Sequence, residues 1–177
     1  MKAVVVYESM YGNTHLIANA IAEGLRPRAE AVAVSVHDAD GPLLANADLV
    51  VVGGPTHAHG LSHESTRQAA AVAAEKPGAD LELDPDAEGP GLREWFESLA
   101  GVTQAAAFDT RVDMPAAFTG RASKGIARRL RHQGARLVAD PESFLVTKQT
   151  HLEPDEERRA REWGAQLALG LEPVAKS

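Results

Sequence analysis

The stretch that decides the fold is VVVYESMYGNTHLIANAIAEGL, residues 4–25. Its first residues form an uninterrupted apolar run, which is typical of a strand buried on both faces of a parallel sheet. After Asn13 apolar residues recur at four-residue spacing, at Ile17, Ile21 and Leu25. This spacing predicts a helix over about 13–23, with Gly24 placed to end it. A strand, a tight turn and a helix therefore follow one another directly.

The turn between this strand and this helix has the chemistry of a phosphate site that lacks a cation. The start of a helix favours an anion through its free N–H groups and its dipole. Ser9 and Thr14 add hydroxyls, Asn13 adds an amide, and Gly12 lets the backbone curl where a side chain would clash. The Gly-Lys-Ser/Thr end of a Walker loop is missing, and a single glycine disfavours a dinucleotide fingerprint. A hydroxyl residue before a helix can also be only an N-cap, so this alternative stays open.

Beyond this turn, short apolar runs alternate with helical patterns, which predicts βα units and a parallel sheet. Strands are predicted at 3–7, 31–36, 48–52, 105–108 and 136–139, the last resuming at 143–147, and helices at 121–133 and after Pro154. The 177 residues suit one domain, residues 1–177, with a long excursion at about 62–91. In that excursion we expect a short helix around 65–75 and a mobile acidic loop at 77–91, which is either a functional lid or a tolerated insertion.

Composition excludes several classes of function. The chain contains no cysteine, which removes thiol nucleophiles, zinc-thiolate sites and Fe–S clusters. A net charge of -7 argues against binding to nucleic acid. The longest apolar runs are too short for a membrane span or a signal-peptide core, so we expect a cytoplasmic protein. One basic segment stands apart, residues 120–136, and is either a solvated helix face or a docking site for an acidic partner or a phosphate-bearing reductant.

The sequence VVYESMYGNTHLIA resembles the phosphate-binding loop of the flavodoxin family, whose pattern is Thr/Ser-x-x-Gly-x-Thr after the first strand. Ser9, Gly12 and Thr14 match that pattern. The resemblance implies a three-layer flavodoxin-like α/β fold, with about five parallel strands in the order 2-1-3-4-5. It also implies one non-covalent FMN, whose phosphate is held by hydroxyls and amides without a cation. The FMN-binding residues it implies in this loop are Ser9, Met10, Tyr11, Gly12, Asn13 and Thr14.

Two further loops complete the implied site. PTHAHGLS, after the third strand, resembles the flavodoxin-like loop that carries Gly-x-Pro-Thr beside the isoalloxazine ring. The residues implied there are Pro55, Thr56, His57, Ala58, His59 and Gly60. After the fourth strand, Asp109, Thr110 and Arg111 would lie nearest the pyrimidine end of the flavin. Arg111 would stabilise the anionic reduced flavin, or alternatively form a surface pair with Asp109.

The function implied is that of an FMN redox protein, which passes electrons to a partner protein or to a small quinone-like acceptor. No catalytic acid or base is required, and a carrier and an enzyme both remain open. One alternative is an NAD(P)H-dependent quinone reductase of the same fold, which the scarcity of aromatic residues to cover a flavin also suits. Another is a metal-dependent hydrolase that uses His57, His59 and His63, although the aspartate expected two residues after the second histidine is Leu61. A third is a module of this fold that has lost its flavin.

Overall fold

A computed structural model of the chain describes residues 1–57, 60–79, 81–87 and 89–171. Its strands are β1 (Lys2–Tyr7), β2 (Glu30–Ser35), β3 (Leu49–Pro55), β4 (Gln104–Val112), β5 (Arg136–Leu137) and β6 (Glu142–Val146). Its helices are α1 (Asn13–Leu25), α2 (Gly41–Ala45), α3 (Glu64–Ala74), α4 (Leu92–Ser98), α5 (Ala116–Thr119), α6 (Ala122–His132) and α7 (Glu156–Leu169). The order of elements is that of repeated βα units.

The strands form one parallel sheet in the order β2-β1-β3-β4-β5, which confirms the predicted order 2-1-3-4-5. A sixth strand, β6, also pairs with β4. The predicted last strand is thus interrupted: β5 pairs with the start of β4 at Gln104, and β6 pairs with its second half from Phe108 onward. The fold is the flavodoxin-like three-layer arrangement, with one strand more than the five expected.

The central strand β1 is buried on both faces, as its apolar run predicts. Val4 and Val6 belong to the core cluster on one face of the sheet, together with Trp95 of α4 and Ile126 of α6. Val5 belongs to the cluster on the other face, which α1 and α7 supply. Apolar side chains on both sides of one strand require a helix layer on each side, and this fixes the three-layer architecture.

The helix α1 continues to Leu25, so the prediction that Gly24 ends it is wrong. Gly24 lies inside the helix, where a Cβ atom would overlap the carbonyl oxygen of Arg161 in α7. Gly164 of α7 has the reciprocal position, since a Cβ atom there would overlap the carbonyl oxygen of Ile21. The two glycines let the backbones of α1 and α7 approach closely, a packing role that the local sequence does not reveal.

The excursion at 62–91 begins with the predicted short helix, observed as α3 (Glu64–Ala74). In the described part of the acidic loop, Asp84 and Ala87 are buried, whereas the expected mobility stays a prediction. Ala87 is buried against Met10 in a small apolar cluster. The Asp84 N–H donates to the Met10 carbonyl oxygen at 2.8 Å, and an oxygen of the buried Asp84 carboxylate lies 3.1 Å from His15 Nδ1. This segment is therefore docked on the first loop.

Across the part of the chain that the structure describes, no helix combines the length and the apolar character that crossing a membrane requires.

Candidate functional site

The carboxyl ends of β1, β3 and β4 meet at one edge of the sheet, where loops from all three strands surround a cavity of about 230 Å³. Ligands of open α/β sheets bind at this edge, because strand order reverses there and leaves a crevice. The cavity is lined by Met10, Tyr11, Asn13, Thr14, Pro55, Thr56, His57, Thr110, Arg111, Val112, Val146 and Thr150. Most residues predicted from the sequence are therefore brought together around one space.

The first loop presents the start of α1 to this cavity. Gly12 is the N-cap residue, with φ +83, and among the described residues no side chain caps the helix. Ser9 Oγ accepts a hydrogen bond from the Gly12 N–H at 3.2 Å, which tightens the turn before the helix. N–H groups in the first turn of a helix have no partner within the helix, so they are available to an anion.

Gly12 is required for a different reason from the one we predicted. A Cβ atom at this position would meet nothing within 4 Å, so a side chain would not clash. The positive φ is what favours glycine, because other L-residues are strained in the left-handed region.

Thr14 ties the first loop to β4. Its side chain is buried, and its Oγ1 lies 2.8 Å from Thr110 Oγ1, so the two hydroxyls form a hydrogen bond. Either hydroxyl can donate the proton, which leaves the other free to donate to a ligand. The two predicted residues thus form one unit, although they come from different loops.

A fourth segment, which the sequence analysis missed, closes the cavity. Asn13 Nδ2 donates to the Thr150 carbonyl oxygen at 2.8 Å, and Val146 and Thr150 line the cavity beside it. Thr150 has φ +66 in a turn after β6. The turn carries no residue pattern of its own, so only the packing of the last strand against β4 reveals it.

In the second loop, Pro55, Thr56 and His57 line the cavity, whereas Ala58 and His59 lie outside the described residues. His57 and Gly60 exchange two backbone hydrogen bonds of 2.8 Å, so the loop closes tightly on itself. Thr56 Oγ1 accepts from the Ala122 N–H at 3.0 Å. This bond holds the start of α6 against the second loop.

In the third loop, Thr110 and Arg111 line the cavity, but Asp109 does not. The Asp109 side chain is completely buried, and its Oδ2 accepts from the Ser123 N–H at 2.7 Å at the start of α6. Burial raises the pKa of Asp109, against the opposing effects of the hydrogen bond from the Ser123 N–H and the charge of Arg121. The position of Asp109 therefore suits it to hold α6 rather than to contact a flavin.

Arg111 does not form the surface pair with Asp109 that we considered. Its Nη1 donates to the carbonyl oxygens of Met114 at 2.6 Å and of Val112 at 3.3 Å. Its buried Nε has no partner among the described residues. The guanidinium is thus held at the cavity with one donor unused.

Behind the cavity lies a buried polar cluster that the sequence analysis did not identify. The Glu8 carboxylate accepts a hydrogen bond from the Leu92 N–H at 2.8 Å and another from Ser62 Oγ. Arg67 Nη1 donates to the same Ser62 Oγ at 3.1 Å. These bonds join the end of β1 to the starts of α3 and α4. A charged residue directly after an apolar strand was the only available signal.

His57 is the second cavity residue with an unused polar atom. Its buried Nε2 has no partner within the described chain. Burial lowers the pKa of His57, and the charge of Arg67 adds to this effect, whereas the charge of Glu8 opposes it. The imidazole is therefore held in its neutral form, which can either donate or accept a hydrogen bond.

The unused polar groups show what kind of ligand the cavity fits. At one side, the uncapped start of α1 offers N–H groups to an anion. At His57 Nε2 and Arg111 Nε, buried nitrogen atoms have no partner among the described residues. Buried polar groups are normally paired, so the site fits a ligand that has an anionic group and further hydrogen-bonding groups. FMN has both.

The metal alternative gains no support. Among the residues that the structure describes, no three His, Cys, Asp or Glu side chains come together as a metal would need. His63 is exposed at the start of α3, and His59 lies outside those residues. The described histidine of the proposed set that lines the cavity is His57.

Comparison with known proteins agrees with this geometry. The family model for flavodoxin matches residues 5–163. Among solved structures, an archaeal flavodoxin superposes with a TM-score of 0.66 at 21% identity, covering 97% of this chain and 99% of its own. Flavodoxin 1 from Bacillus cereus superposes with a TM-score of 0.64 at 21% identity, covering 97% of this chain and 100% of its own. A flavodoxin, WrbA-like protein from Agrobacterium tumefaciens superposes with a TM-score of 0.56 at 22% identity, and the alignment covers 95% of this chain and 95% of its own. No curated protein matches the chain.

The sheet order and the helix that opens on the cavity, together with the family match, identify an FMN-binding α/β redox protein. Because the family model spans most of its length, this chain belongs to the flavodoxin family, whose cofactor is FMN.

Proposed function

We propose that FMN is held by the three loops predicted from the sequence, with its phosphate at the start of α1 and its ring between the second and third loops. The uncapped start of α1, open to a cavity that all three loops share, carries this proposal. Under it, the residues that bind FMN are Ser9 to Thr14, Pro55 to Gly60, Thr110 and Arg111. Under this proposal Asp109 does not contact FMN and instead holds the start of α6 in position.

The part of the cavity that would hold the FMN phosphate binds it through the dipole of α1, backbone N–H groups and side-chain hydroxyls. The N–H groups in the first turn of α1 donate to the phosphate oxygens, and the helix dipole offsets part of the negative charge. The Thr14–Thr110 hydroxyl pair supplies one further donor from the wall of the cavity. A site built in this way needs no lysine, which explains the composition of the first loop.

The ring end depends on His57 and Arg111, which line the cavity and each carry a buried nitrogen atom without a partner among the described residues. When bound, FMN supplies one-electron and two-electron redox chemistry. The positive charge of the Arg111 guanidinium favours a negative charge on the ligand nearby. The neutral His57 ring orients a polar group by hydrogen bonding. None of these side chains has to act as a catalytic acid or base.

The position of the cavity also indicates which kind of molecule would accept the electrons. We infer that electrons leave to a partner protein or to a small quinone-like molecule that reaches the cavity from solvent. The second candidate function, an NAD(P)H-dependent quinone reductase, is favoured by a cluster of cations next to the second loop, described in the next subsection. The cytoplasmic location stays a prediction.

The visible absorption spectrum of the purified protein tests the cofactor, since FMN is yellow and the protein alone is colourless. Thr14→Ala then tests the phosphate end. Loss of one hydrogen bond to a charged group weakens FMN binding by about 1.5 to 3 kcal/mol, which is roughly tenfold to a hundredfold in affinity. Thr103→Ala is the matched control, because Thr103 is exposed beside the opposite end of β4. Equal affinity for FMN in both variants would show that the phosphate lies elsewhere.

Carrier and enzyme are separated by one further measurement on the FMN-loaded protein. If the protein alone oxidises NADPH when a quinone is present, it is an enzyme. If oxidation requires a separate reductase, it is a carrier.

A further inference from the structure

A cleft of about 260 Å³ is lined on one part of its wall by Gly60 of the second loop and the adjoining Leu61. Residues of α4 and of α6, with Arg121 directly before α6, supply the rest of the lining. Five cationic side chains line it, and we call it the cation cleft: Arg93, Arg121, Lys124, Arg128 and Arg129. Since the second loop also lines the FMN cavity through Pro55, Thr56 and His57, the two spaces are neighbours.

Among the residues that the structure describes, the side chains of the cation cleft form no ion pair with a carboxylate, since none of the five lies within 4.0 Å of a carboxylate oxygen. Arginines elsewhere do have such partners, as in Arg67 with Glu94 at 3.2 Å and Arg161 with Glu23 at 2.8 Å. In a protein with a net charge of -7, five uncompensated cations in one cleft require an explanation.

Repulsion within the cleft is visible at Arg129. Partial burial lowers the pKa of Arg129, and the positive charges of Arg93 and Arg128 lower it further. Like charges held together in this way destabilise the protein unless an anion binds between them. The cleft is thus arranged for a ligand of opposite charge.

Two of the arginines are fixed in place by hydrogen bonds to neutral groups. Arg93 donates to the carbonyl oxygens of Ser62 at 2.7 Å and Leu61 at 3.0 Å. Arg121 donates to Ser143 Oγ at 3.0 Å and to the Pro141 carbonyl oxygen at 2.6 Å. These bonds use some of the guanidinium donors and leave the charge unpaired, so the side chains are ordered before a ligand arrives. Preordered arginines are suited to phosphate, whose oxygens accept several N–H groups at once.

We propose that the cation cleft binds the phosphate groups of a soluble dinucleotide of the NADPH class, which would serve as electron donor to the neighbouring site. The role as donor rests on the proposed function, whereas binding in the cleft does not. A concave site with three partly buried arginines fits a small polyphosphate better than the flat surface of an acidic protein. Lys124 and Arg128 are exposed at its mouth, one helical turn apart.

The test is a calorimetric titration of the purified, FMN-loaded protein with NADP⁺, which carries the same phosphate groups as NADPH but cannot reduce a flavin. We expect the double variant Lys124→Gln/Arg128→Gln to weaken NADP⁺ binding by about tenfold or more, because two charged contacts are lost. Arg131→Gln is the matched control, since Arg131 lies on the same helix but does not line the cleft. It should leave NADP⁺ binding unchanged, and neither change should alter the FMN content.

Several outcomes would overturn the proposal. The proposal is wrong if NADP⁺ does not bind, or if Arg131→Gln weakens NADP⁺ binding as much as the double variant does. It is also wrong if pyrophosphate binds as tightly as NADP⁺, or if an acidic polypeptide such as polyglutamate binds in place of NADP⁺. A different result would show that the proposed FMN cofactor is wrong while the cation cleft is right. If the purified protein carries no FMN but NADP⁺ still binds and the double variant still weakens it, the cation cleft stands and the proposed function fails.

Discussion

The face where α1 meets α7 and the carboxyl edge of the sheet are built on opposite principles. On the α1–α7 face, the backbones approach closely at Gly24 and Gly164, and Arg161 of α7 pairs with the Glu23 carboxylate of α1 at 2.8 Å. At the carboxyl edge, loops meet around a cavity instead. All the buried side-chain atoms without a partner among the described residues belong to that edge or to the start of α6 behind it: His57 Nε2, Asp109 Oδ1, Arg111 Nε and Ser123 Oγ.

This difference separates stability from function within one small domain. A face with a purely structural role is closely packed and its charges are paired, because cavities and unpaired polar groups lower the free energy of unfolding. The carboxyl edge keeps polar groups unpaired, and that cost is recovered only when a ligand binds. We therefore expect substitutions on the α1–α7 face to change the free energy of unfolding most. Substitutions at the carboxyl edge should change it less and should affect ligand binding and pH dependence.

The largest effect is expected for Gly164→Ala. The added methyl group would overlap the carbonyl oxygen of Ile21, and backbone cannot move aside as a flexible side chain does. Overpacking of this kind should lower the free energy of unfolding by about 3 kcal/mol, measured by urea denaturation. Gly125→Ala is the control, since the nearest atom to its added Cβ is Arg129 Nη1 at 3.7 Å and alanine favours the helix more than glycine. A Gly164→Ala protein as stable as the native one would mean that α1 and α7 do not pack in this way.

A smaller effect is expected for Gly12→Ala at the carboxyl edge. The residue has φ +83 but open space around its Cα, so alanine adds backbone strain without overlap. The free energy of unfolding should fall by about 1 kcal/mol. Gly41→Ala should leave it nearly unchanged, because Gly41 also has open space but lacks a positive φ. If the two variants unfold alike, the left-handed turn of the first loop is not present in solution.

The smallest effect is a pH dependence at His57. Burial lowers the pKa of His57 below its ordinary value of 6.5, so the unfolded chain binds a proton there more readily than the folded protein. The free energy of unfolding should therefore fall as the pH drops through 6.5 towards the pKa in the folded protein. His57→Gln should reduce that fall, measured by denaturation of FMN-free protein at a series of pH values. The exposed His132→Gln is the control, and an equal change in both variants would place His57 in solvent.

Local patterns in the sequence predicted most of the fold. Each of these patterns depends on residues that are close together in the sequence: the two-sided apolar run of β1, the four-residue spacing in α1 and the alternation of strands with helices. The short helix α2 was missed, although Asp40 caps it by accepting from the Leu43 N–H at 2.9 Å, because five residues show too little periodicity. The candidate site was predicted in its main parts for a similar reason, since residues 9–14 form a contiguous motif at a strand end.

By itself, the sequence determined that a strand buried on both faces, a tight loop without a cation and a helix follow one another at the centre of the fold, because propensity and periodicity act over a few residues. Tertiary structure alone decided that Gly24 packs against α7 instead of ending α1, that Asp109 is buried behind the site, and that Thr150 closes the cavity. It also placed Arg93 of α4 beside the basic residues of α6 in the cation cleft. Each of these depends on residues far apart in the chain meeting in space, and no local pattern records which distant partner a side chain will find.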